Sequence, residues 1–191
     1  MNEAMLVLGW GVYFYLHSLL ASIPVKNFIT QFFSLPSARV YRIGYNIVGF
    51  TGICLLLYLQ YITPSVLLFN TDTTSLIFAL LTGITGFIIM IISIKNYDWK
   101  SFAGITNEKV YALVINGINK YVRHPLYSGT MLFVTGYFIW QPYLKNLILL
   151  ILMCIYLAIG ILYEERKLVK IYGTAYRDYQ QKVKKMIPFI W

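Results

Sequence analysis

The chain has 191 residues, of which 59% are hydrophobic and 12% charged, with a mean hydropathy of +0.65. An ordinary soluble domain carries about 25% charged residues, so this composition excludes one and places the chain in a bilayer. The net charge of +9 would suit nucleic acid, but the basic residues flank apolar runs instead of forming a recognition surface, so no nucleic-acid partner is expected.

A membrane-crossing helix needs roughly 20 apolar residues. The first such run, Ala4 to Ile23, has no basic leader followed by a small-residue cleavage site, so it is expected to be retained as a helix. Within it His17 stands beside Ser18. An ionisable residue inside a span is a functional candidate by default, and equally a packing histidine whose nitrogens a neighbouring helix satisfies. Further runs extend from Ile43 to Ile62 and from Thr74 to Ile94. Val110 to Ile118 is apolar but too short to span, which suits a surface segment or a cavity wall. The last apolar region, Tyr127 to Tyr163, is broken by Gln141-Pro142, where proline's missing donor and its ring disfavour a straight helix. A helical hairpin, helices four and five, is predicted there. The tail from Glu164 to Lys185 reads as a charged, partly amphipathic helix interrupted at Gly173, with Tyr172, Tyr176 and Tyr179 at helical spacing. Cys54 and Cys154 lie in apolar runs as small hydrophobes, and with only His17 and His124 as histidines no metal site is expected.

The basic residues sort these elements across the membrane. Lys26, Arg39 and Arg42 fall between the first two helices, Lys95, Lys100, Lys109, Lys120 and Arg123 between the third and fourth, and seven more after the fifth. The loop from Thr63 to Thr73 has none, and the hairpin tip has Lys145 alone. Positive-inside bias then predicts an all-α integral membrane protein of about five transmembrane helices, with the N-terminus outside and a cytoplasmic C-terminal helix. Residues 1–191 are expected to form a single membrane-embedded domain.

The same bias brings two polar clusters to the cytoplasmic face. Arg123-His124-Pro125 alone is what a basic flank followed by a helix-opening proline looks like. Tyr127 at the boundary, with Gly129 and Gly136 leaving room for a neighbouring helix or a ligand, adds to it. Glu164-Glu165 alone is a surface acid pair beside Arg166 and Lys167. Two successive acids at the end of an apolar helix, however, cannot both face water, and an inward one needs a partner.

Tyr111-Ala112-Leu113-Val114, Asn119, Arg123-His124-Pro125-Leu126-Tyr127-Ser128-Gly129, Glu164-Glu165, Tyr172-Gly173 with Tyr176 and Tyr179, and Pro188 together resemble the isoprenylcysteine carboxyl methyltransferase family. That family and the related phospholipid methyltransferases are membrane enzymes using S-adenosylmethionine. The resemblance covers the C-terminal half. It implies a cofactor-binding part over about 103–191, with contacts from Tyr111, Ala112, Leu113, Val114, Asn119, His124, Pro125, Leu126 and Tyr127, and with Glu164 closing the pocket. At Asn119 the chain departs from the tyrosine that family members often carry. Leu16-His17-Ser18-Leu19-Leu20-Ala21-Ser22 resembles a bacterial branch that includes small-thiol methyltransferases.

The cofactor implied presents an amino-acid head, ribose hydroxyls, an adenine and a sulfonium, which call for a carboxylate, hydrogen-bond partners and an aromatic face. Glu164, His124, Arg123 and Tyr127 supply those. Methyl transfer from a sulfonium asks chiefly for alignment. The candidate catalytic residues are Arg123, Glu165 and His17, the last two as bases for a thiol or amine acceptor. A prenylcysteine carboxylate would need no base. The implied partners are the bilayer and a lipophilic or small methyl acceptor, with the active site facing the cytoplasm. Alternatives are an NADPH-dependent membrane reductase of the sterol-reductase type, whose tail the Tyr172 to Pro188 segment also resembles, and a noncatalytic membrane accessory protein.

Overall fold

The computed structural model describes residues 2–35, 37–95 and 113–188, and among them it contains seven α-helices, one 3-10 turn and no strand. They form two compact units, one holding the described residues up to Val66 and the other those from Leu67 onwards.

The first unit comprises α1 (Glu3–Ala21), α2 (Ile23–Phe32) and α3 (Ala38–Ile62). Asn2 caps α1, its side-chain oxygen accepting from the Met5 N–H at 3.1 Å. A polar ladder joins α1 to α3. The Trp10 indole donates to Gln60 Oε1 at 3.1 Å, the Tyr13 hydroxyl to the Gly49 carbonyl at 3.1 Å, and the Tyr41 hydroxyl to the Leu20 carbonyl at 2.6 Å. In lipid such groups have no water to turn to, so helix-to-helix partners are what permit them inside the span. The short helix α2 was not expected from the sequence, which reads its residues as a loop around Lys26. Ser22 ends α1, and Pro24 is accommodated in the first turn of α2, where a missing N–H breaks no bond.

The second unit comprises α4 (Thr73–Lys95), the turn Gly117–Lys120, α5 (Pro125–Trp140), α6 (Leu144–Tyr172) and α7 (Thr174–Lys182). Asp72 and Ser75 open α4 with a reciprocal cap, each side chain accepting from the other's backbone N–H at 2.8 Å. That bonding holds the exposed Asp72 carboxyl below its ordinary range. Along α4 and α5 the backbones touch. A Cβ on Gly86 would lie 2.5 Å from the Phe133 nitrogen, one on Gly129 2.8 Å from the Gly86 oxygen, and one on Gly136 2.6 Å from the Gly83 nitrogen. Lipid gives no hydrophobic drive for helices to associate, so this backbone contact, which only glycine permits, supplies the van der Waals attraction. Phe78, Leu80, Leu81 and Ile84 face outward from α4.

Among the described residues, four helices are long and apolar enough to cross a membrane: Glu3–Ala21, Arg39–Ile62, Thr73–Lys95 and Leu144–Tyr172. The predicted hairpin forms, with α5 and α6 joined at Gln141-Pro142-Tyr143. Its first arm has 16 residues, short of a full span by length. The second arm runs unbroken through Glu164-Glu165 to Tyr172 and ends at Gly173, whose φ of 59° a side-chain-bearing residue rarely adopts.

Candidate functional site

The site is built where α5 begins. Pro125 occupies the first helical position and His124 precedes it, so the backbone N–H groups just ahead of the helix need partners outside it. The C-terminal segment supplies them. Arg123 N–H donates to the Lys184 carbonyl at 2.8 Å and His124 N–H to that of Lys185 at 2.9 Å, and the Ser128 hydroxyl donates to the Met186 carbonyl at 2.7 Å. Residues after α7 are thereby strapped along residues 122–128.

Side chains lock the strap. The Arg123 guanidinium reaches Glu165 Oε1 through Nε at 2.8 Å and through Nη2 at 2.5 Å, while Nη1 donates to the carbonyls of Gln180, at 3.1 Å, and Val183. Gln180 Nε2 donates to the other Glu165 oxygen at 3.1 Å, and the Tyr179 hydroxyl to the Asn119 carbonyl at 2.6 Å. One carboxylate of α6 therefore gathers the entry of α5, helix α7 and the tail. The pair is buried, with side-chain exposures of 6% for Arg123 and 11% for Glu165.

Glu164 is placed differently. The His124 ring, in a residue only 4% exposed, lies between the two acids, with Nε2 3.2 Å from Glu165 Oε1 and Nδ1 3.5 Å from Glu164 Oε2. Tyr127 stacks on that ring at 5.5 Å and 6°, and its hydroxyl interacts with Glu164. Glu164 Oε2 is sequestered from solvent, yet among the described residues no donor completes a hydrogen bond to it. A buried acceptor in that condition costs free energy until a donor arrives. Arg123 offsets one of the two carboxylates, and His124 and Lys167 also act on Glu164, so what the site offers a ligand is the open Glu164 oxygen, which suits a donor such as an ammonium.

Sequence reasoning picked out Arg123, His124, Pro125, Tyr127, Glu164 and Glu165, and the structure brings them together. Leu126 is half-buried in the first turn of α5. Leu113 is half-buried and Val114 exposed, ahead of the turn that carries Asn119, while Tyr111 and Ala112 lie outside the described residues. His17 sits in the N-terminal unit, where its Nε2 is 2.9 Å from the Tyr45 hydroxyl and its ring stacks on Tyr13 at 5.8 Å. Gln180 and the tail carbonyls were missed, since nothing in their sequence marks them. Tyr176 was noted only for its spacing. It is 1% exposed, and among the described residues its hydroxyl has no hydrogen-bond partner. Burial first, then the nearby Glu165 carboxylate, pushes this phenol well above its ordinary range.

Comparison with known proteins places this arrangement. A methanethiol S-methyltransferase of Bradyrhizobium diazoefficiens is 27% identical over 91% of this chain and 62% of its own length, and one of Crocosphaera subtropica is 28% identical over 94% of this chain and 72% of its own. The chain thus spans somewhat less than two thirds of the first and somewhat more of the second. A protein-S-isoprenylcysteine O-methyltransferase of Arabidopsis thaliana is 33% identical over 45% of this chain and 44% of its own length. No solved structure matches. The profile of the phospholipid methyltransferases matches residues 74–175, just over half of the chain, from the start of α4 to the start of α7. The stretch so matched contains the glycine-packed helix pair, the Arg123–Glu165 bridge and the open Glu164 oxygen, and the chain belongs to the phospholipid methyltransferase family.

Proposed function

We propose that this chain is an integral membrane methyltransferase that binds S-adenosylmethionine within about residues 103–191, on the cytoplasmic side, and methylates a thiol. The observation that carries the cofactor assignment is Glu164 Oε2, a buried carboxylate oxygen to which none of the described residues donates a hydrogen bond, with the His124 ring nitrogen 3.5 Å away. It fits the cofactor's ammonium. When bound, S-adenosylmethionine supplies a methyl already activated on a sulfonium, so the protein's task is alignment and exclusion of water. Glu164 accepts from the ligand, His124 and Tyr127 present stacked ring edges beside it, and Arg123 with Glu165 holds the strap that shapes this wall. Arg123 and Glu165 are thereby positioning residues. His17, engaged by Tyr13 and Tyr45, serves the packing of its own unit.

A thiol is favoured because the thiol S-methyltransferases align with more than nine tenths of this chain, whereas the isoprenylcysteine enzyme aligns with less than half. A thiol reacts as its thiolate, which an alkanethiol forms only sparingly at neutral pH, so loss of the thiol proton is part of the step that the site has to favour. Transfer of labelled methyl from S-adenosylmethionine should therefore be measured on the purified protein in lipid, offering alkanethiols, a prenylcysteine and phosphatidylethanolamine. Label in the thioether product is expected. Label only in the ester or the lipid amine would overturn the thiol assignment.

A further inference from the structure

The methyltransferase reading leaves an apolar cavity of the second unit unused. It measures about 470 Å³ and lies in the second unit, between α5, α6 and the strapped tail. This half-open space begins at Ser128, the residue after Tyr127, and continues past Met131 and Thr135 on α5 and past Cys154 and Ala158 on α6, with Met186 bounding it on the side of the tail. Its polar atoms are already committed. The Ser128 hydroxyl donates to the Met186 carbonyl and that of Thr135 to the Met131 carbonyl, each at 2.7 Å. Cys154 and Met131 turn their sulfurs toward each other at 3.9 Å. None of the described residues that line the space is charged, so these walls offer hydrocarbon and polarisable sulfur to a ligand.

Volume decides what such a ligand is. Water occupies about 30 Å³ per molecule in the liquid, so a thiol of two heavy atoms would fill a small part of the 470 Å³ and leave most apolar walls without contact. Small-molecule pockets fall in the range of roughly 300–1,000 Å³. We propose that this cavity holds the apolar tail of the acceptor, and that the acceptor is a thiol carrying a medium-length aliphatic or aryl group rather than a one-carbon thiol. The inference rests on the thiol methyltransferase reading. The thiol end then lies at the Tyr127–Ser128 end, beside the Glu164 cluster. In the reaction the acceptor sulfur bonds to the methyl carbon, and the bond from that carbon to the sulfonium sulfur breaks with its electron pair remaining on that sulfur. The thiol proton goes to water. The products are an alkyl methyl sulfide and S-adenosylhomocysteine.

Two measurements test this on the full chain in lipid nanodiscs. In the first, KM is determined for straight-chain thiols from methanethiol to dodecanethiol, with wild type, Ala158→Leu and Ala158→Phe. KM is expected to fall about three- to fourfold for each added methylene until the cavity is full, and then to level. The bulkier side chains should move that plateau to shorter thiols. A KM that does not improve with length, or one that improves equally in all three proteins as partition into the bilayer alone would give, overturns the proposal.

The second measurement needs neither turnover nor a core variant. Cys154 lines the cavity and is exposed, so in a Cys54→Ala background its alkylation by N-ethylmaleimide reports occupancy. Octyl methyl sulfide, with S-adenosylhomocysteine present, is expected to slow that alkylation at least tenfold, and dimethyl sulfide is not. Equal alkylation with and without the octyl compound overturns the cavity as a tail site. Protection together with no transfer to any thiol keeps the apolar site and sinks the thiol methyltransferase reading beneath it, which separates the two failures.

Discussion

Glu164 and Glu165 are adjacent in sequence and about 100° apart around the helix axis, and that rotation gives them different work. Glu165 meets Arg123, His124 and Gln180, while Glu164 keeps a buried oxygen to which no described residue donates. That the pair mattered was legible in the sequence, because two acids closing an apolar run cannot both be solvated. Which acid does which was not legible from the two side chains alone, since it depends on partners 15 to 42 residues away in sequence. Tyr176 shows the same limit: its spacing was visible, its orphaned hydroxyl was not. The fold raises this phenol's pKa, so its neutral form is favoured in the folded state. Its contribution to stability is complete below the unfolded value of about 10 and is lost as pH rises from there towards the folded value, because the unfolded chain then binds fewer protons. Denaturant midpoints of detergent-solubilised protein should accordingly decline above pH 10, and Tyr176→Phe should flatten that decline. An unchanged slope in the variant would mean that the tyrosine ionises freely in the fold.

At the scale of elements, hydropathy located the first three long helices within about five residues, since an apolar run of that length has little else it can become in lipid, but it ended the fourth at Tyr163, whereas the helix continues through charged turns to Tyr172. It missed α2, whose ten residues are too short to register as a span. It also missed the strap, which is held partly by backbone carbonyls that carry no sequence signal. Gly129 and Gly136 were picked out as room for a neighbour, and the neighbour is α4. Register between two helices is a pairwise property that one sequence does not display. The contact at Gly136 is with the Gly83 backbone and the Ala79 carbonyl, which have no rotamer through which to yield. Gly136→Val should therefore destabilise the second unit by about 1–3 kcal/mol, the usual penalty of overpacking. Thermal unfolding in detergent would show this, and a midpoint equal to wild type would mean that α4 and α5 are not in backbone contact.

For the molecule as a whole, the all-helical membrane class was legible from composition alone. The basic residues concentrate in alternate loops, and the orientation proposed from that bias puts the loop of Asp72 and the tail of Lys182 on opposite sides of the bilayer. Single cysteines placed there, in a background with Cys54 and Cys154 replaced, should be labelled by impermeant reagents from opposite faces. Labelling of both from one face would remove the proposed orientation and with it the cytoplasmic cofactor side. The central claim, that the Glu164 cluster receives S-adenosylmethionine, is tested most directly by calorimetric titration of S-adenosylhomocysteine and NADPH into wild type, Glu164→Gln and Glu165→Gln. Wild type should bind S-adenosylhomocysteine and not NADPH. Glu164→Gln should weaken binding by about 1.5–3 kcal/mol, the worth of a hydrogen bond to a charged group, while folded Glu165→Gln retains most of the affinity. Equal affinity in wild type and Glu164→Gln, or heat from NADPH alone, would contradict the account.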